Sequence, residues 1–584
     1  MSKVRAKQLA AETVLTSDTL GLSPALMAVL SAEQQLVASD ILNYDGNMLV
    51  IARAGTGKTY TLRKLVTLMV EYKKAKGGND CRIAFASLNR KIADELIAKV
   101  TEDGNADLFR QGDINTFHGH GSAVLRACFG RTIKLEGKNA GQYGEFKFDI
   151  IARNITVGGK PLPQFLATFV RKAMSMAMQS GFGCTINGQA IPLNDPARWM
   201  ALVNHHDLDS AIGDDNEGIT FYNYSREELV RMGLQYAAKA ITEGRRLMTP
   251  NPSEGRNTGI YSFDDMLYMP IALNLAFPRF DFLGVDEAQD TNVLRREMAA
   301  RMVAWGSDNS GRLTFVGDDK QAINGWTGAD NDALAQIERI YSCKRRYLTV
   351  TRRCAKAIVR KAQTLVPDFK AHEDNAEGEV IEGLSFAAFM KDYAAGLTID
   401  DAILCRNTKP LVIVAYKLIR AGIGCHIEGK EIGEGLLSLI SRWKKVKTLP
   451  ALQDKLVEYR DREVLKATAK NNGQAAEAVS DRVETVLAII EGMTPGSTLE
   501  ALQAQIKRMF TNTPDGKRPD TVTLMTAHRS KGLEYKRVFG LGVAELFPSK
   551  WATQEWQLEQ ENNLLYVLYT RAIETLILMG LPEN

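Results

Sequence analysis

Residues 52–59 read Ala-Arg-Ala-Gly-Thr-Gly-Lys-Thr, a pattern able to receive phosphate. In such a turn the backbone N–H groups of Ala54, Gly55, Thr56 and Gly57, and the positive end of a following helix, point at the anion. Lys58 reaches the β- and γ-phosphates, and the Thr59 hydroxyl helps hold Mg²⁺. A second set of chemical residues, Asp286-Glu287, ends the run Phe-Leu-Gly-Val at 282–285. One carboxylate there suits Mg²⁺, and the next suits orienting and deprotonating an attacking water. A strand merely ending in solvated acids is the plainer alternative.

The phosphate chemistry needs a buried strand before the turn and a helix after it. The apolar run at 48–51 supplies the first, and Leu62, Leu65, Val66 and Met69 fall on one helical face after Lys58. The consensus loop opens with Gly; Ala52 stands there, with the bulky Arg53 beside it. Further apolar strands are expected at 81–87, around 113–116 and from 313. The last has a polar tip, Asp318-Asp319-Lys320-Gln321, where Gln321 is placed to sense a γ-phosphate. Trp326 follows on the same loop; it is read as an exposed stacking residue, with a core role as the alternative. Upstream, Gln34 offers an amide donor and acceptor that could grip an adenine edge, although alone it would be a surface glutamine.

The chain has 584 residues, 45% of them hydrophobic and 24% charged, with net charge +4. That is ordinary for a globular protein of several domains, and a mildly basic balance permits a nucleic-acid partner without requiring one. Seven cysteines lie scattered without metal spacing. No apolar run has the ~18 residues of a membrane span, so a soluble, intracellular, cytoplasmic protein without membrane contact is expected.

Lys58 and Asp286 lie too far apart for strands of one compact sheet unless a further domain is inserted between them. After about residue 345 the α/β pattern restarts, with short strands expected at 347–350, 402–404, 522–525, 538–543 and 575–579. Residues 443–515 read as helices rich in Lys, Glu, Ala and Leu. The expectation is two parallel-sheet domains, each interrupted by a mainly helical insertion. The first domain comprises 1–124 plus 259–345, with insertion 125–258. The second comprises 346–442 plus 516–584, with insertion 443–515.

Taken together, residues 33–34, 54–59, 88–93, 116–118, 286–290, 317–330, 348–354, 526–534 and 566–572 resemble the superfamily 1A DNA helicases of the UvrD/Rep/PcrA type. Asp-Glu-Ala-Gln-Asp and Thr-Ala-His-Arg-Ser-Lys-Gly-Leu-Glu carry most of the specificity. The resemblance implies two RecA-like P-loop NTPase domains, 1A and 2A, with insertions 1B and 2B, the second small. It implies that ATP sits between the two sheets. Lys58, Thr59, Asp286 and Glu287 then act with Gln321, Arg353 and Arg571, and Glu534 meets the ribose. An Arg facing the transferred phosphate is worth ~10³–10⁵ in rate. Two positions depart from the pattern: Tyr60 stands where Arg is usual and Arg352 where Tyr is usual. Adenine is therefore expected between Tyr60 and Arg352 with their roles exchanged.

On the DNA side the resemblance implies Asn89, Thr116, Phe117, His118, Trp326 and His528. It implies ATP and Mg²⁺ as cofactors, and 3′→5′ movement on single-stranded DNA with unwinding at single-strand/duplex junctions. Replication or repair proteins are the implied partners, and the chain acts as a monomer or weak dimer. Leu88, Asn324 and Thr327 replace aromatic or basic residues usual in the family, which weakens the expected grip on the strand. A translocase that displaces proteins with little unwinding, and an ATP-switched binding module, are the alternatives. The trans-acting arginines weigh against the module.

Overall fold

The computed structural model describes residues 27–582 apart from 44–45, 76–81, 89, 138–145, 207, 213–223, 255–256, 307–308, 324–331, 444–445, 470–472 and 512–520. The chain divides into two compact units. One comprises Met1–Ala52, Lys58–Asp319 and Asn324–Leu348; the other comprises Arg53–Gly57, Lys320–Ile323 and Thr349–Asn584.

The first unit is built on six strands: β1 (Met48–Ala52), β2 (Ile83–Ser87), β3 (Ile114–Thr116), β4 (Phe282–Val285), β5 (Arg312–Gly317) and β6 (Lys344–Leu348). Their spatial order is β6-β1-β5-β4-β2-β3, and every pairing is parallel. All five residues of β1 and of β2 are buried, as continuous apolar runs in parallel sheets require, because both faces are covered. One face packs against a core containing Leu49, Ala84, Leu283 and Phe315. That core continues without a break into the helices Ala167–Gln179 and Arg226–Arg246 of the first insertion, through Phe169, Val170, Ala237 and Ile241. The opposite face closes on Val50, Leu62, Leu65 and Phe85. Because β5 lies between β1 and β4, the carboxyl ends of these three strands lie side by side, at the edge where open parallel sheets place ligands.

One strand differs from expectation. The strand expected at 347–350 as the start of the second domain is β6, and it pairs with β1 from Met48/Lys344 to Ala52/Leu348. Its sequence, Lys-Arg-Arg-Tyr-Leu, hides it: an edge strand accepts charges that an inner strand does not. Asp40 receives both Lys344 and Arg346.

The second unit carries β7 (Glu379–Leu384), β8 (Asp401–Cys405), β9 (Cys425–Glu428), β10 (Phe510–Thr511), β11 (Val522–Thr526), β12 (Tyr535–Leu541) and β13 (Ala572–Met579). Their order is β7-β13-β12-β8-β11-β9-β10, again all parallel. The helices Leu449–Ala469, Gly473–Glu491 and Leu499–Met509 supply Leu452, Leu456, Val486, Ile489 and Ile506 to the core on one face of this sheet. The α/β class with two parallel sheets is as expected. Among the described residues, no helix is long and apolar enough to cross a membrane.

Candidate functional site

The first unit assembles four of the expected residues at the carboxyl edge of its sheet. Lys58 opens the helix Lys58–Ala75 that follows the loop after β1. Its ammonium lies 3.2 Å from Glu287 Oε1 and 3.3 Å from Glu287 Oε2. Thr59 Oγ1 donates to Asp286 Oδ2 at 3.0 Å, and the Glu287 amide donates to Asp286 Oδ1 at 2.9 Å. Two acids ending a buried strand repel one another. Burial first, and Glu287 second, push the Asp286 carboxyl up to about 6. Burial alone would lower the Lys58 ammonium, but Glu287, Asp318 and Asp286 outweigh it and leave it raised. A hydroxyl beside a buried carboxylate is a hard-oxygen donor pair that fits Mg²⁺, which keeps most of its waters and takes one or two carboxylates.

Glu287 is held by more than sequence spacing indicates. Its backbone is left-handed, at φ 52° and ψ 44°, a conformation costly for a residue with a side chain. Gln289 Nε2 donates to Glu287 Oε2 at 2.5 Å, and Gln289 Oε1 accepts from the Asp318 amide at 3.1 Å. A Cβ on Gly317 would lie 2.5 Å from that same Oε1, so β5 reaches Gln289 only through a glycine. Gln289, buried at 1% exposure, was missed as a site residue; its signal was its place between the two acids and Asp290.

Gln34 and Tyr60 lie in this unit. The Gln34 amide is occupied at both ends, accepting from the Ser31 amide at 2.9 Å and donating to Thr61 Oγ1 at 2.9 Å. The Tyr60 ring lies beneath Arg63, 5.2 Å away, and Lys64, 5.6 Å away.

At the end of β3, Thr116 is an N-cap: its hydroxyl accepts from the Gly119 amide at 3.0 Å and starts the helix Phe117–Phe129. The same helix start overturns one expectation. Phe117 is fully buried in the core with Leu125 and Val124, because its face of the helix turns onto the sheet, and its ring is not available to a base. The aromatic surface lies one residue on. His118 stacks on Phe263 with centroids 3.9 Å apart and planes at 21°, and Phe263 is 59% exposed. Burial, then the Arg295 cation, push the His118 imidazole down to about 4, so it is neutral at physiological pH. Phe263 was also missed; the aromatic that precedes Asp264-Asp265 and follows the helix cap Ser262 was its trace. Asn89 and Trp326 lie outside the described residues.

The second unit holds the remaining residues. Gly55 and Gly57 take positive φ values of 66° and 85°, which the phosphate turn requires and glycine permits. The Ala54 amide donates to Tyr566 Oη at 3.0 Å, Thr56 Oγ1 donates to the Arg53 carbonyl at 2.8 Å, and the Arg352 amide donates to the Gly55 carbonyl at 3.0 Å. Arg353 Nε lies 2.6 Å from Glu534 Oε2. The Gln321 carbonyl accepts from Lys531 Nζ at 2.7 Å. Arg571 is 1% exposed and donates to the carbonyls of Val567 at 3.1 Å and Leu533 at 2.9 Å. Half-buried His528 is pushed down to about 4 by burial and by Arg406, against the opposing pull of Glu561.

Known proteins supply the context. Residues 31–149 and 254–342 match the UvrD/REP helicase N-terminal domain, and residues 439–581 match the UvrD-like helicase C-terminal domain. The chain is 24% identical to the ATP-dependent DNA helicase PcrA of Bacillus subtilis (strain 168), across 91% of this chain and 80% of the relative. It is 25% identical to the ATP-dependent DNA helicase UvrD2 of Mycobacterium tuberculosis (strain ATCC 25618 / H37Rv), across 94% and 78%. DNA helicase II of Haemophilus influenzae is 21% identical across 90% and 81%. With both halves matched in order, and with phosphate-loop and acidic residues assembled at one sheet edge, the chain belongs to the UvrD/Rep/PcrA-like superfamily 1A helicases.

Proposed function

We propose that this protein hydrolyses ATP with Mg²⁺ to move 3′→5′ along single-stranded DNA and to separate the duplex it meets. The observation that carries the ATPase reading is the Lys58, Thr59, Asp286 and Glu287 cluster. A phosphate-seeking ammonium, a hard-oxygen pair and a spare carboxylate stand within hydrogen-bond reach of one another. Lys58 binds the β/γ-phosphates, Thr59 and Asp286 hold Mg²⁺, and Glu287, oriented by Gln289, accepts a proton from the attacking water. Mg²⁺ supplies charge neutralisation on the phosphates. Arg353 and Arg571 are assigned to the transferred phosphate, Gln321 to coupling, Glu534 to the ribose, and Tyr60 with Arg352 to adenine. His118 supports the strand-binding reading together with Phe263, and Thr116 and His528 are assigned to the same strand. Stacking suits a motor that runs on any sequence, since every base has a π-face worth ~1–3 kcal/mol. Polarity rests on family membership in subfamily A.

The three helices at 449–509 bury their apolar faces in their own unit's core. That favours, as a second reading, a translocase that clears proteins and unwinds weakly. Strand displacement on matched 3′- and 5′-tailed duplexes, with Glu287→Gln as the dead control, tests both. Displacement of the 3′-tailed substrate alone supports the helicase. ATP turnover stimulated by single strands without displacement supports the translocase. Turnover indifferent to DNA removes both.

A further inference from the structure

Arg53 is the bulky residue inside the phosphate loop, and the position of its charge is informative. Its Nε meets Asp368 Oδ1 and its Nη2 meets Asp368 Oδ2, each at 3.0 Å, with Arg53 only 6% exposed. Two parallel bonds from one planar fork to one carboxylate make a pair that a lysine cannot reproduce. A cation in such a loop would ordinarily be read as a phosphate ligand; this one faces a carboxylate. The backbone of Arg53 is engaged as well. Its carbonyl accepts from Thr56 Oγ1 at 2.8 Å and from the Thr56 amide at 3.3 Å, which closes the first turn of the loop. Beside Asp368, the Phe369 ring meets Tyr566 edge-on at 5.6 Å, and Tyr566 Oη receives the Ala54 amide. Side chain, carbonyl and neighbouring amide are thus fixed together at the point where the loop leaves its strand.

We propose that Asp368 is a positioning residue for nucleotide binding. Paired with Arg53, it holds the first turn of the phosphate loop in its receiving conformation and so sets the affinity for ATP. The proposal rests on the ATP reading above. A turn held closed by the protein's own bonds spares part of the ordering cost that nucleotide binding would otherwise carry. Losing the pair therefore weakens binding more than it slows the chemical step.

The test is equilibrium titration of the full chain with a fluorescent N-methylanthraniloyl ATP and Mg²⁺, alongside steady-state ATP turnover. Asp368→Asn and Arg53→Lys should each raise the dissociation constant about tenfold, with KM rising by more than kcat falls. In a double-mutant cycle, Arg53→Ala with Asp368→Ala should bind no more weakly than either single variant, because both remove one interaction. Thermal melting confirms that each variant folds. If Arg53→Ala does not fold, Asp368→Asn and Arg53→Lys carry the comparison. Unchanged affinity in folded single variants overturns the proposal, and so do fully additive losses in the double variant. If the unaltered protein binds the nucleotide without hydrolysing it, the ATPase reading falls while this one is still measured. If it binds none, both fall.

Discussion

Thr59 Oγ1 donates to Asp286 Oδ2 across 3.0 Å, joining the last residue of the phosphate loop to the first acid after β4. Burial and Glu287 raise that acid to about 6, so in the metal role proposed for Asp286 a proton would compete with Mg²⁺ for the same oxygens. Above the raised value the carboxylate is ionised and ready; below it, each metal bound must displace a proton. The Mg²⁺ concentration for half-maximal ATP turnover should therefore rise as pH falls through about 6, by up to about tenfold per unit. A requirement that stays flat from neutrality to about pH 5 would remove Asp286 from the metal role.

Glu287→Gln should lower kcat for ATP by ~10²–10⁴, the usual worth of a positioned general base, while nucleotide binding persists. Gln289→Ala keeps the carboxylate but removes its orientation, and a smaller loss of about tenfold in kcat is expected with little change in KM. Steady-state turnover with saturating single-stranded DNA separates the two. Equal losses would mean that Gln289 does more than orient Glu287.

Phe263→Ala should weaken binding of a short oligothymidylate by ~1–3 kcal/mol, the worth of one stacked base. Fluorescence anisotropy measures it. Because stacking involves no counterion release, the variant should keep the salt slope of the parent. His118 is already neutral above about pH 4, so binding should not vary with pH through the ordinary histidine range. A step near pH 6.5 would contradict the burial assigned to this ring.

Lys147 Nζ lies 2.6 Å from Asp265 Oδ2, with side-chain exposures of 1% and 0%. Asp265 also accepts from the Ser262 amide at 2.7 Å, closing a capping box at the start of the helix Phe263–Ala272. Lys147→Met strands a buried carboxylate and should cost about 3–5 kcal/mol. Adding Asp265→Asn, which removes the charge and keeps the cap, should recover much of it. Urea denaturation followed by tryptophan fluorescence reads both.

The strands and turns that hold the phosphate loop and the acids were legible because their chemistry demands local patterns: apolar runs, glycines at positive φ, a carboxylate pair at a strand end. What stayed hidden depends on contacts distant in sequence. Nothing near Phe117 reveals that its helix turns that ring inward, and His118 meets Phe263 only after the insertion has folded between them. Gln289 reads as filler between acids until β5 brings the Asp318 amide to it. Strand β6 was concealed by three basic residues that an edge position tolerates. Arg53 was visible as an oddity, but its meaning lay more than three hundred residues away at Asp368.

The left-handed backbone at Glu287 has a cost that outlasts any single turnover. Glycine would adopt that geometry freely, whereas a residue bearing a Cβ gives up roughly 1 kcal/mol there. Replacing Glu287 by glycine removes that strain together with the carboxylate that pairs Lys58 and receives Gln289, so it should yield an inert protein that melts higher than Glu287→Ala, which loses the same carboxylate and keeps the strain.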